Sequence, residues 1–142
     1  MSMTGLDVFD TTVQKTNIWL KDLMQELGWA DRHKAYVGLR STLHALRDRL
    51  TPEEAVQFGA QLPMLIRGLY YEGWTLTGKP DKVRHKAAFL APIRDYFKDD
   101  WHVEPEEIVR AVFKVLATHV SAGEIDDIKQ LLPQELKELW SS

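Results

Sequence analysis

The feature that most constrains this chain is an internal correspondence at an offset of 70 residues. LRSTLHALRDRLTPEEAVQFGAQLPMLIRGLY (39–70) lies over VRAVFKVLATHVSAGEIDDIKQLLPQELKELW (109–140) without a gap. Identities fall at Arg40/Arg110, Leu46/Leu116, Glu54/Glu124, Leu62/Leu132, Pro63/Pro133 and Leu69/Leu139. Apolar character is kept at Leu43/Phe113, Leu50/Val120, Ala55/Ile125, Phe58/Ile128 and Tyr70/Trp140. The match extends upstream through Val13/Val83, Trp19/Phe89, Leu20/Leu90 and Leu23/Ile93, and weakens between Gly28 and Val37. Self-similarity at a fixed offset predicts two similar sets of elements, residues 1–75 and 76–142, within one globular unit.

Each set reads as four helices. The first runs from about Asp7 to Leu27, with Phe9, Val13, Leu20, Leu23 and Leu27 as its apolar stripe and Gly28 as its stop. The second covers roughly His33 to Arg49, with Leu39, Leu43, Leu46 and Leu50 at helical spacing. The third opens at Thr51-Pro52-Glu53-Glu54, where threonine caps, proline suits N1 and Glu54 can reach back. The fourth opens at Leu62-Pro63, with proline in the first turn. Ser121 and Glu124 promise the same capping box in the second set, Leu132-Pro133 the same last helix, and Glu104-Pro105 a helix ending near His119. The helix expected over about Asp81 to Lys98 contains Pro92, which deletes a backbone bond and predicts a kink or break near Ala88–Ala91. No strand pattern occurs. The expectation is all-α, eight helices as two tandem four-helix repeats packed into one compact globule.

The two fourth helices differ on their outer faces. Leu62, Leu65, Ile66 and Leu69 form the expected core stripe of the first, and Leu132, Leu136 and Leu139 that of the second. Opposite the stripe the second carries Gln134, Lys137 and Glu138, a solvated face. The first carries Met64, Arg67, Gly68 and Tyr71, followed by Trp74. Glycine inside a helix costs about 1 kcal/mol relative to alanine, so Gly68 suggests a close approach to the backbone. The face is either internal packing against the other half or the 72–82 linker, or a binding surface. Aromatic, Met and Arg residues are the types enriched at interface cores. Met64, Arg67, Tyr71 and Trp74 are therefore the candidate interaction surface.

Composition narrows the chemistry. The chain has no cysteine, which excludes disulfides and thiolate catalysis and fits a reducing cytoplasm. The net charge is −3 and no basic run occurs, which argues against broad phosphate binding. A helix-turn-helix reading of the second and third helices would bring Glu53 and Glu54 to the phosphates, so nucleic acid is not the expected partner. No apolar stretch is long enough to span a membrane, and MSMTGLDVFD is not a secretory leader. His33, His44, His85, His102 and His119 show no Glu-x-x-His or H-E-x-x-H spacing, and no metal or cofactor is expected. His44 and His119 answer to Lys114 and Arg49 under the offset, which predicts surface positions. No nucleophile elbow, Walker loop or dinucleotide fingerprint appears. Ser121 and Thr51 are explained as caps, and Glu53-Glu54 and Glu106-Glu107 as first-turn carboxylates favoured by the helix dipole. Arg40 with Glu54, and Arg110 with Glu124, could form a structural salt bridge in each half. Alternatively each Glu serves its cap and each Arg is free at the surface.

The stretches "LRSTLHALRDRLTPEEAVQFGAQLPMLIRGLYYEGW", "FLAPIRDYF" and "AVFKVLATHVSAGEIDDIKQLLPQELKELW" closely resemble the domain-of-unknown-function 2267 family of bacterial proteins. The likeness spans about Asp7 to Trp140. It implies a compact helical cytoplasmic protein and brings no activity, cofactor or functional residue with it. The expected function is a non-catalytic protein-interaction or regulatory module, with an unknown protein partner or self-association. The alternative is a small-ligand-binding protein or enzyme that uses the groove between the repeats. A third possibility is a twofold homodimer through the same face.

Overall fold

The computed structural model describes residues 2–140. Among them the chain forms eight α-helices and a closing 3-10 turn, with no strand. The helices are α1 (Asp7–Leu27), α2 (Arg32–Asp48), α3 (Pro52–Gly59), α4 (Met64–Tyr71), α5 (Lys86–Tyr96), α6 (Pro105–His119), α7 (Ala122–Leu131) and α8 (Gln134–Lys137). The turn over Glu138–Trp140 follows α8 directly.

Local chemistry sets the boundaries. Gly28 adopts a left-handed conformation (φ 68°) and its N–H closes α1 onto the Met24 carbonyl. Asp31 caps α2 by accepting from the Lys34 N–H. Thr51 and Glu54 form the full capping box: the Glu54 N–H donates to Thr51 Oγ1 at 3.2 Å, and the Thr51 N–H to Glu54 Oε1 at 2.8 Å. In the second half the Ser121 hydroxyl accepts from the Glu124 N–H at 3.3 Å. Helices α3 and α7 open at the offset read from the sequence, as do α4 and α8.

Three boundaries differ from expectation. Pro63 and Pro133 occupy N-cap positions rather than the first turn, because neither has a helical ψ. Pro63 supplies no side-chain cap, and the hydroxyl of Thr12 on α1 does so instead, accepting from the Leu65 N–H at 2.8 Å. Helix α5 begins at Lys86, later than the apolar pattern suggested, and runs without a break through Pro92. Pro92 lies on an exposed side of α5, so the carbonyl it leaves without a helical donor need not be buried dry.

Helices α2 and α6 are the centre of the molecule. Helix α2 packs against α1, α4, α5 and α6; α6 packs against α1, α2, α5, α7 and the closing turn. Gly38 makes the α2–α6 contact close, since a Cβ there would lie 3.1 Å from Ile108 Cγ2. Leu39, Leu43 and Leu46 of α2 meet Ile108, Val112 and Phe113 of α6 in a single core cluster. That cluster also takes in Trp19 and Leu23 of α1 and Phe89 and Ile93 of α5.

Helix α4 corrects the expected stripe. Leu62, Ile66 and Tyr70 are the buried line, and Leu69 is half-buried. Leu65, expected in the core, is 45% exposed. The shift follows from Tyr70, whose ring is fully buried against Phe58 and whose hydroxyl donates to the Ala55 carbonyl at 2.8 Å. Turning Tyr70 inward turns Leu65 out by the same rotation.

Candidate functional site

The four predicted surface residues separate into two pairs. Met64 is 47% exposed at the first turn of α4. Arg67 closes the end of α3: its Nε donates to the Gly59 carbonyl at 2.9 Å, and its Nη2 to the Leu62 carbonyl at 2.8 Å and the Ala60 carbonyl at 3.4 Å. The Gly59 and Ala60 carbonyls stand at the end of α3, where helical donors run out, and Gly59 also accepts from the Leu62 N–H. Tyr71 and Trp74 are half-buried against the core, with ring centroids 5.6 Å apart. The Trp74 Nε1 is buried without an acceptor. Met64 and Arg67 thus share a crevice, while Tyr71 and Trp74 pack against the core and do not line it.

The close approach expected at Gly68 occurs at another glycine. A Cβ on Gly68 would meet nothing within 4 Å. A Cβ on Gly59 would collide with Tyr71 Oη and lie 2.8 Å from Tyr71 Cζ. Tyr71 therefore packs over the last residue of α3, and the glycine that admits it ends that helix.

Met64 borders three adjoining crevices. The largest, about 630 Å³, lies between α1 and α4 and is lined by Phe9, Val13, Tyr36, Leu65 and Leu69 among others. A second, about 430 Å³, includes Lys15, Ile18, Trp19, Pro63, Arg67 and His119. A third, about 370 Å³, includes Asp7, Val8, Thr11 and Lys15. Val8, Phe9, Ile18, Met64 and Leu65 are all large, apolar and exposed, and all line one or another of these crevices. The periodicity had allotted Phe9 and Leu65 to the core. The signal that could have placed them outside is the pair of threonines, Thr12 and Thr16, on the same face of α1. Both are buried and Thr12 bonds the Leu65 N–H of α4, while Phe9 and Leu65 stand exposed along the same crevice.

A different kind of crevice lies between α2, α5 and the 72–83 segment, with a volume of about 360 Å³. Arg40, His44, Arg47 and Arg49 enter it from α2 and the residue that follows. The expected bridge between Arg40 and Glu54 is absent. Arg40 instead holds Glu72 through Nε at 3.0 Å and Nη2 at 2.5 Å, because Glu54 is committed to its cap. Likewise Arg110 pairs with Glu106 at 2.9 Å and donates to the Glu138 carbonyl, rather than reaching Glu124. Neither arginine is a free surface charge. Arg47 is 4% exposed; its Nε meets Asp48 at 2.9 Å and its Nη1 donates to the Tyr70 and Glu72 carbonyls. His44, expected at the surface, is half-buried, with Nε2 at 2.7 Å from the Leu69 carbonyl. Burial lowers its pKa, and the nearby charges of Arg47 and Arg40 lower it further. Burial, with the charge of Arg84, also lowers that of Arg49.

His119 is exposed by residue, but its ring stacks on Trp19 with centroids 5.0 Å apart and lies 2.7 Å from Asp22 Oδ2. Among the described residues no three His, Asp or Glu side chains converge as a metal site, and no helix is long and apolar enough to cross a membrane. A family model described as Uncharacterized conserved protein (DUF2267) matches residues 16–139, most of the chain. Comparison with curated proteins finds no match.

Proposed function

We propose that this chain, which belongs to the DUF2267 family, is a non-catalytic interaction or regulatory module of the bacterial cytoplasm that docks a partner on α1 and α4. The observation that carries this reading is the convergence of Val8, Phe9, Ile18, Met64 and Leu65 on three crevices that share Met64. Contiguous exposed apolar side chains rimmed by polar ones mark interaction sites. A groove between two helices suits the apolar face of a partner helix. Lys15 and Arg67 line the Trp19 crevice, where no carboxylate joins them, so the fitting partner segment is apolar with an acidic flank. The same reading takes the two halves as related copies that diverged, the second keeping a polar outer face.

The test compares wild type with a Met64→Glu/Leu65→Glu double variant. Both positions are exposed, so the fold should persist. Crosslinking after affinity capture should map an apolar, acid-flanked segment onto α1 and α4, and the variant should lose it. Self-association through this face would appear as a sedimentation coefficient that rises with concentration in wild type alone. Capture and sedimentation unchanged by the double substitution would overturn the reading.

A further inference from the structure

We infer that the α2–α5 crevice is a second, independent binding site, for a small carboxylate carried on an apolar body, with Arg49 holding its charge. Charge bookkeeping within the crevice leads to Arg49. Its lining contains three arginines, Arg40, Arg47 and Arg49, and three carboxylates, Asp48, Glu72 and Asp81. Each carboxylate has a cation: Glu72 has Arg40, Asp48 has Arg47, and Asp81 has Lys79 at 3.2 Å. Lys79 therefore releases one arginine of the lining from any carboxylate. That residue is Arg49, which among the described residues donates through Nη1 to the Asp81 backbone carbonyl and forms no ion pair. Its Nε is buried without an acceptor, and the positive charge of Arg84 acts on it from outside the lining, opposed by the negative charges of Asp81 and Glu54.

A half-buried guanidinium with an orphaned donor and no ion pair has room for one more anionic acceptor. Asp81 and Glu54 act on Arg49 through charge alone: the Asp81 carboxylate is paired with Lys79 and that of Glu54 with its cap, and neither is bonded to the guanidinium. The opposite wall sets the rest of the ligand. Val83, Ala88, Phe89 and Pro92 present carbon, and Ala45 continues it from α2. One unpaired cation suits a monoanion better than a phosphate dianion, and the carbon wall suits an apolar body. This site shares no residue with the Met64 crevices except Glu72, which lies at the edge of the largest.

The experiment is a titration of labelled protein followed by NMR, reading the Arg49 Nε–H and His44 ring signals. The probes are hexanoate, acetate and inorganic phosphate. Hexanoate should shift both signals saturably, and acetate should bind roughly tenfold or more weakly, having lost several buried methylenes. Arg49→Gln should weaken hexanoate by about tenfold or more, the worth of a charge-assisted hydrogen bond. Because Arg49 also ties down the 81 segment, Ala88→Phe provides the second variant: Ala88 is exposed, and the larger ring fills the crevice with Arg49 intact. It too should abolish the saturable shift. Shifts that never saturate, affinity unchanged in both variants, or phosphate binding more tightly than hexanoate would each overturn the assignment. Since Met64→Glu/Leu65→Glu leaves this crevice untouched, hexanoate binding should survive in that variant.

Discussion

Two glycines on neighbouring helices show how far a single position depends on what lies above it. Gly68 sits mid-helix with open space where a Cβ would go. Gly68→Ala should therefore stabilise the protein by roughly 0.5–1 kcal/mol, the helix-propensity gain alone. Gly59 lies under Tyr71, so Gly59→Ala should destabilise by about 1–3 kcal/mol through forced repacking. Urea unfolding of the two variants checks both signs. Both glycines lie within helices, and the sequence cannot say which one is covered, because that depends on where the chain turns after Tyr71. His44 carries the pH argument. Its folded pKa lies below the ordinary 6.5 because burial and the charges of Arg47 and Arg40 oppose protonation, while the Leu69 carbonyl and Asp48 favour it. The unfolded chain then takes up the proton first. This contribution to stability is complete above about pH 6.5 and is lost as pH falls toward the lower folded value. His44→Gln keeps a donor for the Leu69 carbonyl and removes the titration. Thermal midpoints measured between neutral and mildly acidic pH should fall less steeply in this variant than in wild type. Parallel slopes would mean that His44 does not report this burial.

At the scale of elements, punctuation was the readable part. Gly28, Thr51-Pro52 and Glu104-Pro105 mark helix ends through chemistry local to a few residues, and those ends stand where that chemistry puts them. What escaped was rotation about the helix axis. Helix α4 is eight residues long, too short for periodicity to decide between a stripe through Leu65 and one through Tyr70. Tyr70 wins because its hydroxyl finds the Ala55 carbonyl inside. Exposure around the α1–α4 crevices was legible to the same degree: Met64 was read as outward-facing and is exposed, whereas Phe9 and Leu65 were read as core and are exposed too. The partners of the crevice arginines were out of reach, Arg40 having been matched with Glu54, because Glu72 and Asp81 come from the irregular 72–83 segment. Two substitutions test the punctuation. Thr51→Ala removes one half of a reciprocal cap and should cost about 1 kcal/mol. Pro92→Ala returns an N–H to the middle of α5 at an exposed position, and should stabilise by roughly 1–3 kcal/mol. Denaturant midpoints moving in opposite directions would bear out both.

The whole molecule is held by contacts that cross the offset. Helix α2 lies against α5 and α6, and α1 lies against α6, so one core cluster is shared between the first four helices and the last four. Leu39, Leu43 and Leu46 are each at most 1% exposed in the full chain, and Ile108, Val112 and Phe113 share the cluster that covers them. Charged pairs between the halves, such as Lys34 with Asp100 and Lys114 with Glu26, are partly exposed, and pairs of that kind contribute up to about 1 kcal/mol each. The seam is therefore hydrophobic in origin. A four-helix half cut from this chain would have to expose that seam to water, at roughly 25 cal/mol for every square ångström of carbon. Internal correspondence in sequence does not then confer independent folding. A chain ended after Trp74 should show reduced helical circular dichroism and no cooperative urea transition, while the full chain unfolds in one step seen alike by dichroism and tryptophan fluorescence. A monomeric fragment with its own cooperative transition would contradict this, and would show that α1 to α4 bury enough among themselves to stand alone.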